Sequence, residues 1–503
     1  MRRFACLLAL LVAAGCGSRG AIWEEPFAAE GPLVAADQIV WLQKNAGLLT
    51  WIDPGSGGPP RSVDVVRAPR GMAAAGGGVL VVGGNGDAPA LDVVALPGGD
   101  VRRIAVGAAW DRIAVAPDGG HALLLFDPQA LPAKGSAPVR NPNEIGVVDL
   151  RAGTAQTVVL QTEALVPRQV VFAPEASLAA ILFDSAVAIL DPADPARRVQ
   201  VPLKLRDGRA LRPEEAHFVP GFLFVRAAGS DDVLALAITE GADRLDVSIN
   251  FLFLAGASGL RDIAVSDAFG DAVIALYADR VALLDARGAA TANRSARLGV
   301  QLDRILDPGD GLVFLHAAPG SISPDRLAVA AWDPLAERVV VDRLARPIVA
   351  EPLVAGGSAF LPQDGGTTGA LTVARAVRDP ARLRLELQAL QLSGRPTSAA
   401  VDGARGVVYL GVAQEPTFAE IDGEEIATGG GAIAAVAAGT LASGGLLVDA
   451  PVQQIGVAGD HVFAVHDALF GDVTVVPQGA LRRGEAVRYE GVLASHLLDR
   501  GED

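Results

Sequence analysis

The stretch at residues 112–127, RIAVAPDGGHALLLFD, constrains the fold more than any other. It reads as a strand with Ile113 and Val115 on one side, a tight turn at Pro117-Asp118-Gly119-Gly120, and a returning strand from Ala122 to Phe126. Glycine and aspartate supply the backbone conformations that a tight hairpin needs. The returning strand is apolar at successive positions, so both of its faces must be covered by other parts of the protein.

Variants of this hairpin recur at 72–82, 169–183, 217–225, 263–277, 305–315, 399–411 and 455–465. A second element alternates with it: a short apolar strand, often ending in Asp, then a Gly or Pro turn. It is found at 48–53, 91–96, 145–150, 187–191, 281–285, 327–333 and 432–436. Four short strands in a unit of roughly 40–50 residues predict an all-β fold, a β-propeller of four-stranded blades. A β-helix needs shorter rungs, and tandem sandwiches need linkers that the sequence lacks. About ten units can be counted. Because propellers usually have four to eight blades, seven or eight are expected in one ring, ahead of two smaller propellers meeting near Ala257-Ser258-Gly259. The segment 426–448 is uncharged, but it is rich in Ala and Gly. Its glycines disfavour a membrane helix, and 431–440 fits the second half of a blade.

The first residues have a separate purpose. Arg2 and Arg3 precede an apolar run from Phe4 to Ala14, which is too short to span a bilayer and reads as a secretory signal. The run ends in Val12-Ala13-Ala14-Gly15-Cys16, which resembles the lipobox of bacterial lipoproteins. Leucine is more usual in that family where Ala13 stands. The resemblance implies cleavage before Cys16, lipid attachment at Cys16, and an exported protein held at the cell membrane or outer membrane, periplasmic or surface-exposed. Several acyl chains on one residue give stable anchorage. Gly17 rather than Asp after the cysteine resembles an outer-membrane sorting choice. The expected organisation is a signal peptide at 1–15, a tether at 16–35, the propeller at 36–493 and a tail at 494–503. The only cysteines are Cys6 and Cys16, so the mature domain has no disulfide and must be held by its core.

The hairpin at 112–127 and the later IGVVDLRAGTAQTVVL resemble the YVTN-type and WD-like propeller repeats of bacterial surface proteins. The match is close at 112–160, 167–203 and 261–285. It fades at 217–225 and is barely visible at 351–392. The net charge is −16 and the only lysines are Lys44, Lys134 and Lys204. Without a basic patch such a chain is repelled by phosphate backbones, which excludes nucleic-acid binding.

Candidate chemistry is sparse. Six histidines, His121, His217, His316, His461, His466 and His496, have no zinc-site spacing, and each reads as a surface or turn residue. Asp307-Pro308-Gly309-Asp310-Gly311 and Asn85-Gly86-Asp87 read as plain turns rather than calcium loops. Glu214-Glu215 beside His217 forms a small acid–histidine group, but adjacent carboxylates on a strand point apart. The inner-strand positions read as Ala, Val, Leu and Gly. No catalytic, metal-binding or cofactor-binding residue stands out, and no cofactor is expected. The expectation is a non-catalytic binding or scaffolding module with a protein or surface polymer as partner. The alternatives are a propeller-type hydrolase or lyase with its site at the channel mouth, and an accessory subunit of an outer-membrane assembly. The proline-rich insert at 127–143 is the candidate functional loop.

Overall fold

The computed structural model describes residues 29–494, apart from 85–87, 128–140, 142, 161–166, 206, 242, 288–292, 365–367, 380–381, 415–416, 422–423, 429, 468 and 482–484. Ten four-stranded antiparallel sheets follow one another along the chain. Each is a blade built from one continuous segment: 29–64, 69–105, 112–159, 169–202, 212–252, 262–297, 304–343, 353–391, 395–448 and 454–489, here numbered 1 to 10. In blade 9 an extra hairpin, Thr417–Ile421 with Glu424–Thr428, lies between the second and third strands.

Strand alternation explains why the apolar runs are continuous. In the second strand of blade 3, Leu123 and Leu125 pack towards blade 4. Ala122, Leu124 and Phe126 pack towards blade 2. Every second strand is therefore buried on both faces, whereas the fourth strands are largely exposed, as in Asp100–Ala105 and Thr154–Val159. Trp110 enters the core between blades 2 and 3 beside Phe126, with ring centroids 6.0 Å apart. Gly146 makes room for it: a Cβ there would stand 3.0 Å from the indole ring.

The blade count corrects the expectation of seven or eight. The units counted in the sequence are separate complete blades, not fragments of fewer ones. Nine apolar clusters each join two successive blades, and in a tenth Ile39, Trp41 and Ile52 of blade 1 pack with Phe463, Val465 and Val475 of blade 10. That last cluster closes one ring. Among the described residues no strand is exchanged between the ends, and closure rests on this apolar packing, each fully buried large side chain contributing roughly 1.5–3 kcal/mol. The chain does not divide near Ala257-Ser258-Gly259, where one core cluster runs through from blade 5 to blade 6.

Local expectations fared unevenly. Residues 431–448 form the antiparallel strands Gly431–Ala437 and Ser443–Val448 of blade 9. No helix among the described residues is long and apolar enough to cross a membrane. The first strand of blade 1 begins at Ala29, ahead of the boundary expected at residue 36.

Candidate functional site

Antiparallel order fixes which features share a face. The connections between second and third strands, and those from one blade to the next, all lie at the same end of the ring. The first strands start there, and these are the innermost strands. Seven of the ten begin with a polar residue: Arg112, Gln169, Arg212, Asp262, Arg304, Arg395 and Gln454. Farther in they are apolar, as in Ile113-Ala114-Val115. The expectation of purely apolar inner positions is thus corrected at the channel mouth.

On blades 5, 6 and 7 these polar residues meet. Glu215 and His217 lie on the first strand of blade 5, Arg212–Val219, and Arg226 on its second, Phe222–Ala228. His217 Nε2 donates to Glu215 Oε1 at 3.1 Å. Arg226 Nε donates to Glu215 Oε2 at 3.0 Å, and its Nη1 to Glu214 Oε2 at 2.7 Å. Arg212 closes on the other Glu214 oxygen at 2.8 Å. Two adjacent carboxylates should face opposite ways, yet both reach one guanidinium. The cause is a bulge between Pro213 and Glu215, which resets the ladder by one residue. The expectation that these carboxylates point apart is corrected by that bulge.

Blades 6 and 7 complete the cluster. Asp262 Oδ2 accepts the Ile305 N–H at 2.7 Å, and its Oδ1 accepts from Arg304 at 3.3 Å. Glu215 also acts on it, as a second negative charge nearby. Burial, followed by the charge of Glu215, pushes Asp262 up from 3.8 to about 6. Burial opposes the charge on Glu215 as well, but hydrogen bonds from His217 and Arg226 outweigh it and hold this carboxyl below the usual range. The hydrogen bond from Arg212 does the same for Glu214. Two neighbouring carboxyls are therefore driven apart, one ionised and one ready to hold a proton near neutrality.

The other candidates are structural or lie outside the described residues. Contrary to the surface reading, His316 and His466 are buried. His316 Nδ1 donates to Ala317 O at 2.8 Å, and burial lowers its pKa. His466 Nδ1 donates to Pro451 O, so Nε2 accepts the Thr474 hydroxyl at 2.7 Å. Asp307 and Asp310 each accept a backbone N–H two residues on, as ordinary turn residues do. Among the described residues no group of three His, Cys, Asp or Glu is placed to hold a metal. Cys16, Asn85-Gly86-Asp87, His496 and most of the insert at 127–143 lie outside the described residues or their described environment.

No family model matches this chain, and no curated protein matches it. Solved propellers are similar at low identity. Dihydro-heme d1 dehydrogenase NirN in complex with DHE is 13% identical, with 85% of this chain and 76% of that one covered and a TM-score of 0.42. The WD40 domain of SCAP from fission yeast is 11% identical, with 76% and 91% covered and a TM-score of 0.38. Neither likeness carries information about this chain's chemistry.

Sequence reasoning reached Glu214, Glu215 and His217 but not Arg226, Asp262 or Arg304. Asp262 and Arg304 are 42 residues apart, about one blade repeat, so superposing the repeats would have aligned them. Pro213 was the available sign of the bulge, because proline within a sheet is confined to edges and irregularities.

Proposed function

We propose that this protein is an exported propeller, anchored through a lipid on Cys16, that works as a binding module at the cell envelope. Its contact site is the channel-mouth wall of blades 5 to 7. One observation carries the site: Glu214, Glu215, His217, Arg226, Asp262 and Arg304 converge from three blades, at the end of the ring where loops are longest. Arg212 and Arg304 each have about half of their side chain exposed, leaving donors free for a carboxylate or carbonyl of a partner. Co-purification from detergent-solubilised membranes tests this reading. A partner recovered with the native chain should be reduced at least about tenfold with the double variant Glu215→Gln, Arg304→Ala. Recovery of the native chain alone counts against it. The anchor has its own test: Cys16→Ser should move the protein to the soluble fraction.

The carboxyl pair favours one second reading, a hydrolase or lyase in which protonated Asp262 is the acid and Glu215 or His217 the base. General acid–base catalysis is worth roughly 10²–10⁴-fold. Turnover of a nitrophenyl ester or glycoside that falls by that factor in Asp262→Asn, with a rate that drops as pH rises through about 6, would support it. Equal turnover by the variant would remove it.

A further inference from the structure

The lipid-anchor reading has a directional consequence. The first strand of blade 1 runs Ala29–Ala35. Its start, like that of every first strand, lies at the end of the ring that carries the channel-mouth cluster and the inter-blade connections. Twelve residues separate Cys16 from Ala29, a reach of at most about 45 Å from Cα to Cα fully extended. A blade of four strands is roughly 15 Å wide, and six-residue strands are about 20 Å long before their loops are added. Running from the channel over the rim and down to the opposite face would use nearly the whole tether and leave no clearance from a bilayer. The short path leads straight out from the cluster-bearing face.

That face also differs in what it exposes. Among the described residues, Phe253, Ile322, Leu469 and Phe470 are exposed Leu, Ile or Phe side chains in its connections, whereas Leu335 is the one such side chain in the turns of the opposite face. The extra hairpin of blade 9 lies between second and third strands, and therefore on this face too. The charges of this face have both signs, with Asp207 beside Arg209 and Asp325 beside Arg326, and the chain carries −16 overall. A face of mixed sign on an acidic chain gives anionic headgroups no strong net attraction. Scattered apolar side chains among mixed charges suit a protein surface.

We propose that the cluster-bearing face is turned towards the membrane and docks on a membrane-embedded protein. The proposal rests on the anchor at Cys16 and adds the orientation and the kind of partner.

The experiment uses the absence of any cysteine in residues 17–503. Phe253→Cys, Ile322→Cys and Leu335→Cys are made singly in the full lipidated chain, at positions 64%, 94% and 61% exposed. Each is labelled with a bulky maleimide, in isolated native membranes and after purification in detergent. Phe253→Cys and Ile322→Cys should react at least about fivefold more slowly in native membranes, and Leu335→Cys equally in both. Equal rates at all three positions, or protection at Leu335→Cys, overturn the orientation. The purified chain placed in protein-free vesicles containing anionic lipid decides the occupant. Full reactivity there supports a protein partner, and persistent protection would mean that the lipid surface itself is bound. A soluble protein before any substitution at Cys16 would instead sink the anchor reading, and fractionation detects that before any labelling.

Discussion

Glu30 of blade 1 and Asp262 of blade 6 perform the same structural task in different surroundings. Each sits near the start of a first strand and accepts a backbone N–H from the first strand of the next blade: Met72 at 3.2 Å for Glu30, Ile305 at 2.7 Å for Asp262. The inner edge of a first strand has no further strand to pair with, so its inward N–H groups need such acceptors. Glu30 is partly exposed and has a cationic neighbour, Lys44 at 2.8 Å. Asp262 is buried against a second carboxyl, with His217 and Arg226 behind that one. Capping the next blade explains Glu30 completely. At Asp262 it leaves the buried carboxyl pair unexplained, and that surplus marks blades 5 to 7 as a site.

The largest effect should follow from removing the cation that holds the pair. Arg226→Met leaves the exposed Glu214 and the half-buried Glu215 without their shared partner, and hydrogen bonds between charged groups are worth roughly 1.5–3 kcal/mol. A urea titration at pH 7 should show a clearly lower midpoint. A midpoint within error of the native protein would mean that the cluster is solvated and the contrast with blade 1 is false.

The next effect depends on pH. The folded-state pKa of Asp262, about 6, lies above the 3.8 of the free group. This group therefore favours folding fully below about pH 4, and the contribution is lost as pH rises through 6. Asp262→Asn keeps an oxygen to accept from Ile305 and has no proton to lose. Its stability should gain on the native protein from pH 4 to pH 7 by about 2 kcal/mol. Parallel stability curves for the two proteins would show that the Asp262 carboxyl is not held protonated by the fold.

The blades differ in how clearly the sequence spelled them out. In blade 3, Pro117 to Gly120 close a hairpin in which Gly119 takes a φ of 65° and Asp118 Oδ1 accepts the Gly120 N–H at 2.9 Å. Each residue has a local reason to be there, so the turn can be read directly. Blade 8 has a first strand of only three residues, Leu353–Ala355, and long third and fourth strands, Ala370–Arg378 and Leu383–Gln391. Its first turn is the two-residue Gly356-Gly357 hairpin, with φ of 53° and 72°, but strands of such unequal length hide the repeat. The number of blades was legible in the count of units and was masked by the usual size of propellers. The site was half legible. Glu215 and His217 are neighbours in sequence, but their meeting with Asp262 and Arg304 depends on ring geometry, and the joint orientation of Glu214 and Glu215 depends on a bulge that strand periodicity cannot represent.

The smallest expected effects lie on blade 1 and complete the contrast. Lys44→Ala removes an ion pair whose two side chains are each about one-third exposed, and such pairs are worth roughly 0–1 kcal/mol. Glu30→Gln retains an oxygen for Met72 N–H, so its cost should also stay below about 1 kcal/mol. Solvent reaches Glu30, whose side chain is 36% exposed. A urea titration at pH 7 should therefore place Glu30→Gln within about 1 kcal/mol of the native protein. If Glu30→Gln cost as much as Arg226→Met, the energy would belong to the capping position around the whole ring, and blades 5 to 7 would lose their claim to be a site.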